Sequence, residues 1–285
     1  MNILVTGGLG FIGSHLVDAL VSAGNNVTVI DDLSSESCSK DYMVEGVTYW
    51  IGDIRELDEN SCKDKFDSIF HLAALARIQP SFKNPVEYFD IDAMGTCKVL
   101  ELARKQGANV IYAGSSSAFG GPMLNPYAFA KYTGEQLCEL YSKVYDVPTS
   151  IARFFNVYGE RQPITGDYAT IVGIFEQQAH SGLKLTVTGD GEQRRDFTHV
   201  SDIVSGLILL NNKKIFGEVF QLGTERNYSI NELAGMFGDE IEYIPSRPGE
   251  ARNTLADITK MRALGWEPKV FIEDYIESWK IKSIM

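Results

Sequence analysis

Gly7, Gly10 and Gly13 fall in a G-x-x-G-x-x-G spacing between an apolar run at 3–6 and a helical pattern carried by Leu16, Leu20 and Val21. This order of strand, glycine turn and helix is what most limits how the chain can fold. The missing side chains permit a tight turn, and the backbone N–H groups and dipole of the helix start attract an anion such as a pyrophosphate. The turn therefore predicts a dinucleotide site, because the glycines stand in the structural context that such a site needs.

The following segments keep the same alternation. Apolar runs at 27–30, 48–51, 68–72, 109–113 and 149–154 read as strands, with helical patterns near 86–105 and 127–145 between them. Strands alternating with helices predict an α/β chain, a Rossmann-type doubly wound parallel sheet with helices on both faces. After Asn156 the order loosens, with turn-rich stretches at 159–168 and 188–194, and 217–223 reads as one more buried strand. The expected organisation is a Rossmann domain over 1–156 plus about 198–224, and a smaller C-terminal substrate-binding domain from 157–197 and 225–285.

Asp31 ends the second strand, where a carboxylate accepts hydrogen bonds from adenosine ribose hydroxyls and repels a 2′-phosphate, which favours NAD over NADP. Asp53, after the third strand, is placed near the adenine. For both residues the alternative is a turn or helix-cap role.

A net charge of −12 argues against nucleic acid as a partner, since phosphate backbones recruit clustered Lys and Arg. An anionic ligand would then need particular arginines to build a local positive pocket. Cys38, Cys62, Cys97 and Cys138 show no C-x-x-C pair, as expected of reduced, unligated thiols, and no metal site is expected. No run reaches the roughly 18 apolar residues of a membrane helix, and the first residues enter an apolar strand without a secretory pattern. A soluble, cytoplasmic protein is the expectation.

Tyr127 and Lys131 are four residues apart in Asn-Pro-Tyr-Ala-Phe-Ala-Lys, a spacing that puts both on one face of a helix. A neighbouring ammonium favours a phenolate, so the pair reads as a proton-transfer unit. Ser115-Ser116-Ser117 closes the fifth strand at the carboxyl edge of the sheet, where ligands bind in open α/β folds. A hydroxyl there would complete a Ser, Tyr and Lys relay.

With these residues the chain resembles an extended short-chain dehydrogenase/reductase of the branch containing NAD-dependent nucleotide-sugar epimerases and dehydratases. The matching stretches are 7–14, Leu-Ala-Ala-Leu-Ala at 72–76, the serines, Tyr127-x-x-x-Lys131, Arg-Phe-Phe-Asn-Val-Tyr-Gly at 153–159, 189–197, 247–252 and 255–257. The resemblance implies that Tyr127 is the acid/base and that Lys131 holds the nicotinamide ribose and lowers the Tyr pKa. Ser115 takes the Ser/Thr position, with Ser116 as a stand-in. It assigns Gly7, Gly10, Phe11, Ile12, Gly13, Asp31, Asp32, Asp53, Ile54, Leu72, Ala73, Ala74 and Phe154 to the cofactor, together with Tyr127 and Lys131. Asn156, Arg195 and Arg252 are implied to grip the diphosphate of a nucleotide sugar, and Thr254 to gate N-acetyl sugars. Arg161 and Arg247 are weaker candidates. Relatives commonly dimerise through the helices near 86–105 and 127–145, so a homodimer is implied, with Val99, Leu102, Leu137 and Leu140 as contact or core positions.

Sugar 4,6-dehydratases of the family carry an Asp-Glu pair where Ser116 and Ser117 stand, and the decarboxylases usually have a Glu in that stretch. The resemblance therefore implies a 4-epimerase of a UDP-hexose, either the glucose/galactose pair or the N-acetyl pair. The alternatives are another nucleotide-sugar enzyme (dehydratase, decarboxylase or reductase) or a poorly active protein that binds NAD and a nucleotide sugar. Two departures bear on this. The 11 residues between Ser115 and Tyr127 are roughly half the number in relatives, and Asp92 stands where relatives usually have Asn. A carboxylate at 92 disturbs the cofactor or raises the Tyr pKa by like-charge repulsion, or else faces Arg77 or solvent.

Overall fold

The computed structural model describes residues 1–35, 37–58, 64–238 and 240–284. Seven strands build the main sheet: β1 (Asn2–Thr6), β2 (Asn26–Asp31), β3 (Thr48–Ile51), β4 (Ser68–His71), β5 (Asn109–Ser115), β6 (Thr149–Phe154) and β7 (Glu218–Leu222). All pair in parallel, in the order β7-β6-β5-β4-β1-β2-β3. The chain runs outward from β1 to β3 and then crosses back to β4 beside β1. The order reverses there, and a crevice opens at the carboxyl ends of the strands. His71 fixes this junction: Thr6 Oγ1 lies 2.8 Å from its Nδ1 and Thr96 Oγ1 2.9 Å from its Nε2. Burial pulls the imidazole down to about 3, with the Lys131 charge adding to the effect, so it stays neutral.

The helices used below are α1 (Phe11–Ser22), α2 (Thr96–Gln106), α3 (Pro126–Tyr145), α4 (Ile171–His180), α5 (Val200–Lys213), α6 (Ile230–Phe237) and α7 (Ile272–Ile284). Successive strand residues point to opposite faces, so the central strands are apolar throughout rather than alternating. Ile3 and Val5 join Leu16, Val17, Leu207 and Leu210 in the core shared with α1 and α5. Leu4 joins Val99, Leu100, Cys138 and Tyr141 in the core shared with α2 and α3. Val99 and Leu102 are therefore core residues, while Leu140 is 47% exposed.

The helical pattern at 86–105 divides into a short turn at Pro85–Tyr88, a π-helical segment at Phe89–Gly95 and α2. π-Segments widen a helix by one residue per turn and recur at functional sites; this one carries Asp92. A third core, with Tyr158, Phe175, Phe197, Leu233, Phe237 and Ile276, lies among α4, α6 and α7. It is flanked by two small sheets, Leu185–Thr188 with Ile241–Ile244 and Arg194–Asp196 with Asn227–Ser229. Cys38, Cys97 and Cys138 are free thiols, and Cys62 lies outside the described residues. Among the described residues no helix is long and apolar enough to cross a membrane.

Candidate active site

The glycine turn separates into two kinds of position. Gly7 has φ +71°, and a Cβ there would lie 2.8 Å from Ala73 N; a Cβ on Gly13 would lie 2.0 Å from Gly7 O. Backbone packing therefore excludes any side chain at both. At Gly10 the nearest atom to a Cβ is 3.5 Å away, so its side of the turn is open. Gly10 is the N-cap of α1, no side chain caps the helix, and its first turn has no acidic residue. An uncapped helix start facing open space fits a pyrophosphate.

Asp31 is buried, and its carboxylate accepts the Leu9 and Leu33 N–H groups, both at 2.9 Å. It braces the turn from the cavity wall. Asp32 accepts from Ser34, and Asp53 caps the short helix Ile54–Glu56 while holding Arg55.

A cavity of about 780 Å³ opens over the carboxyl ends of the strands. Its wall brings together Gly7, Gly10, Phe11, Ile12, Gly13, Asp31, Asp32, Asp53, Ile54, Leu72, Ala73, Ala74 and Phe154 with Ser115, Ser116, Tyr127, Lys131, Asn156, Arg195, Arg247 and Thr254. Two arginines stay outside it. Arg252 is exposed and pairs with Asp190 through two hydrogen bonds of 2.7 Å. Arg161 pairs with Asp18 and stacks on Tyr42.

Asn125 sets the position of the tyrosine. Its side chain accepts the Ala128 N–H at 2.7 Å as the N-cap of α3, and Pro126 takes the first helical position, where a missing N–H costs nothing. Tyr127 then donates its hydroxyl to Ser115 Oγ at 3.3 Å. Ser115 also accepts the Ser117 N–H at 3.1 Å, while Ser116 makes no such bond to the tyrosine.

Burial pushes the Tyr127 pKa up, Asp92 adds to the rise, and the Ser115 hydrogen bond and the Arg77 cation oppose it. In the structure, therefore, Arg77 rather than Lys131 is the cation favouring the phenolate. Lys131 Nζ lies 4.4 Å over the Tyr112 ring. Burial lowers its pKa, and the charges of Asp92 and Glu135 oppose that fall. Glu135 is itself buried and holds Arg153 through Nε and Nη2 at 2.9 and 2.6 Å.

Asp92 faces neither Arg77 nor solvent. It is 1% exposed, its Oδ1 accepts the Leu75 N–H at 2.7 Å, and its Oδ2 has no partner. Burial raises its carboxyl to about 7, opposed by Lys131 and the Leu75 bond.

Arg77, Tyr168 and Cys38, which no motif marks as site residues, also line the cavity. Cys38 lies 3.4 Å from Asp31, and burial with that carboxylate pushes its thiol up to about 12, leaving it protonated. Arg77 donates through Nε and Nη2 to Tyr168 O, at 2.9 and 2.6 Å, across 91 residues of sequence. An arginine just after the strand-end Leu-Ala-Ala was the one signal available for it.

A parallel sheet with an open glycine turn at its switch point, and a Ser, Tyr and Lys group on the same cavity, defines a dinucleotide-dependent α/β enzyme. The chain matches the NAD dependent epimerase/dehydratase family over residues 3–223 and belongs to it. It is 33% identical to a UDP-glucose 4-epimerase of Mycolicibacterium smegmatis over 302 residues, covering 97% of this chain and 96% of that one. It is also 33% identical to UDP-glucuronic acid decarboxylase 1 of Xenopus tropicalis, covering 96% of this chain and 70% of the relative. Among solved structures, the UDP-glucose 4-epimerase of Thermotoga maritima, crystallised with UDP-glucose, superimposes with a TM-score of 0.92 at 32% identity over the whole of both chains.

Proposed function

We propose that this enzyme epimerises C4 of a UDP-hexose, glucose/galactose or the N-acetyl pair, with retention of NAD. The observation that carries the reading is the strand end. Tyr127 donates to Ser115, and the next two positions are Ser116 and Ser117 rather than acids. Elimination of water needs a further acid and base beside the reacting carbon, whereas epimerisation needs one group that takes and returns a single proton.

In this reading Tyr127 removes the C4 hydroxyl proton, Ser115 orients both hydroxyls, and the 4-keto sugar turns over in the cavity before the proton is returned to the other epimer. When bound, NAD would supply the hydride acceptor for C4 and would not be consumed. The open side of Gly10 and the N–H groups of Phe11, Ile12 and Gly13 would hold its pyrophosphate. Asp31 would hold its adenosine ribose, Asp53 and Ile54 would lie by the adenine, and Lys131 by the nicotinamide ribose. Asn156, Arg195 and Thr254 would hold the nucleotide sugar. Arg252 joins them only when its pair with Asp190 opens.

The division into 1–156 with 198–224 and 157–197 with 225–285 belongs to the same reading, as does a cytoplasmic homodimer through α2 and α3, where Leu140, Val144 and Tyr145 are exposed. The test is incubation of NAD-loaded protein with UDP-galactose, UDP-N-acetylgalactosamine and their 4-epimers. Interconversion of at least one pair is expected; none, from folded and loaded protein, overturns the proposal.

A further inference from the structure

A guanidinium inside a protein is normally matched by a carboxylate, because an unpaired charge is costly to desolvate. Arg77 breaks this rule on the wall of the catalytic cavity. Its only hydrogen bonds among the described residues run from Nε and Nη2 to Tyr168 O, which leaves Nη1 without a partner. No carboxylate among the described residues forms an ion pair with it. Its ionisable neighbours are three phenols, Tyr127, Tyr88 and Tyr168, all neutral near pH 7. Asp92 is engaged by the Leu75 N–H and the Lys131 field. Burial accordingly pulls the Arg77 pKa down with no acid to offset it.

We propose that the missing counter-ion arrives with the substrate: Arg77 receives a carboxylate carried by the sugar, one carbon from the carbon that reacts at Tyr127. The inference rests on the placement of Tyr127 at C4 given above. Neither diphosphate needs Arg77, since the open helix start at Gly10 suits one and Asn156 with Arg195 the other. What remains beside Tyr127 is the sugar ring. A carboxylate adjoining C4 hangs either from C5, as in a hexuronate, or from an ether on the C3 oxygen. The planar guanidinium fork binds such a group through paired hydrogen bonds that a lysine does not reproduce.

The test reads binding rather than turnover, so it stands even if the proposed epimerisation fails. NAD-loaded Tyr127→Phe protein is titrated with UDP-glucose, UDP-glucuronate and UDP-N-acetylmuramate, and then again with Arg77→Gln or Arg77→Lys added. At least one carboxylated sugar is expected to bind tenfold or more tighter than UDP-glucose; which one tells the C5 group from the C3 ether. Arg77→Gln should abolish that margin and Arg77→Lys retain part of it. If Arg77→Gln does not fold, the lysine variant carries the comparison. The proposal is overturned if neither carboxylated sugar shows the margin or if the margin survives in the variants. It is also overturned if Arg77 substitutions weaken all three ligands equally, since Arg77 would then not read the carboxylate.

Discussion

Replacing Asp92 with Asn should change how the stability of this protein depends on pH. The carboxyl rises from an ordinary 3.8 to about 7, chiefly because it is 1% exposed with one oxygen unpartnered. Lys131 and Tyr127 on α3, Tyr112 on β5 and Tyr88 and Tyr168 from the cavity side share its field. A carboxyl whose pKa is higher folded than unfolded keeps its proton in the folded state while the unfolded chain has lost it. Stability therefore falls as pH rises through that window, from about 4 to about 7. At about 1.4 kcal/mol per unit the shift amounts to roughly 4 kcal/mol by neutral pH. Asn carries no such titration. The Lys131 attraction acts only on the ionised carboxylate and is already contained in that folded value. Urea unfolding of both proteins between pH 4.5 and 8 at fixed ionic strength gives the difference directly. The variant should gain on the wild type by about 3 to 4 kcal/mol across the range. A difference that does not change with pH would refute the reasoning.

Gly10→Ala and Gly13→Ala should separate cofactor binding from packing: the first keeps its unfolding temperature and loses NAD affinity, and the second loses both, because its Cβ would lie 2.0 Å from Gly7 O. Equal melting temperatures for the two variants would contradict this. Glu135→Gln leaves Arg153 facing a neutral partner in a buried pair and should cost about 3 kcal/mol in urea unfolding; a loss under about 1 kcal/mol would mean that the pair is solvated. Thr254→Tyr puts a large ring where a buried hydroxyl lacks a partner on the cavity wall, and should depress turnover of N-acetylated sugars more than of UDP-glucose. Equal loss for both would remove Thr254 as a gate.

The features legible in the sequence were those fixed by local geometry. Gly7 and Gly13 answer to backbone atoms of one turn or of the adjoining strand, and Tyr127 and Lys131 to one helix, so spacing alone located them. Where the lysine's charge goes was not legible, since Asp92, Glu135 and Tyr112 approach it from three elements. The π-segment at Phe89–Gly95 was hidden because the apolar residues Ile91 and Ala93 suit a continuous helix equally well. The partnership of Arg77 with Tyr168 depends on how a turn-rich segment 91 residues later folds over the cavity. Arg252 fits the family pattern in sequence, yet a nearby Asp190 holds it at the surface.

The central claim is that one proton leaves through Tyr127 and one hydride leaves C4 and returns to it. UDP-galactose deuterated at C4, incubated with the NAD-loaded protein in ordinary water, tests it most directly. The account predicts UDP-glucose that keeps the deuterium at C4, with no build-up of reduced cofactor. Product that has exchanged that label for solvent hydrogen would contradict it, as would labelled UDP-galactose and UDP-N-acetylgalactosamine both recovered unconverted.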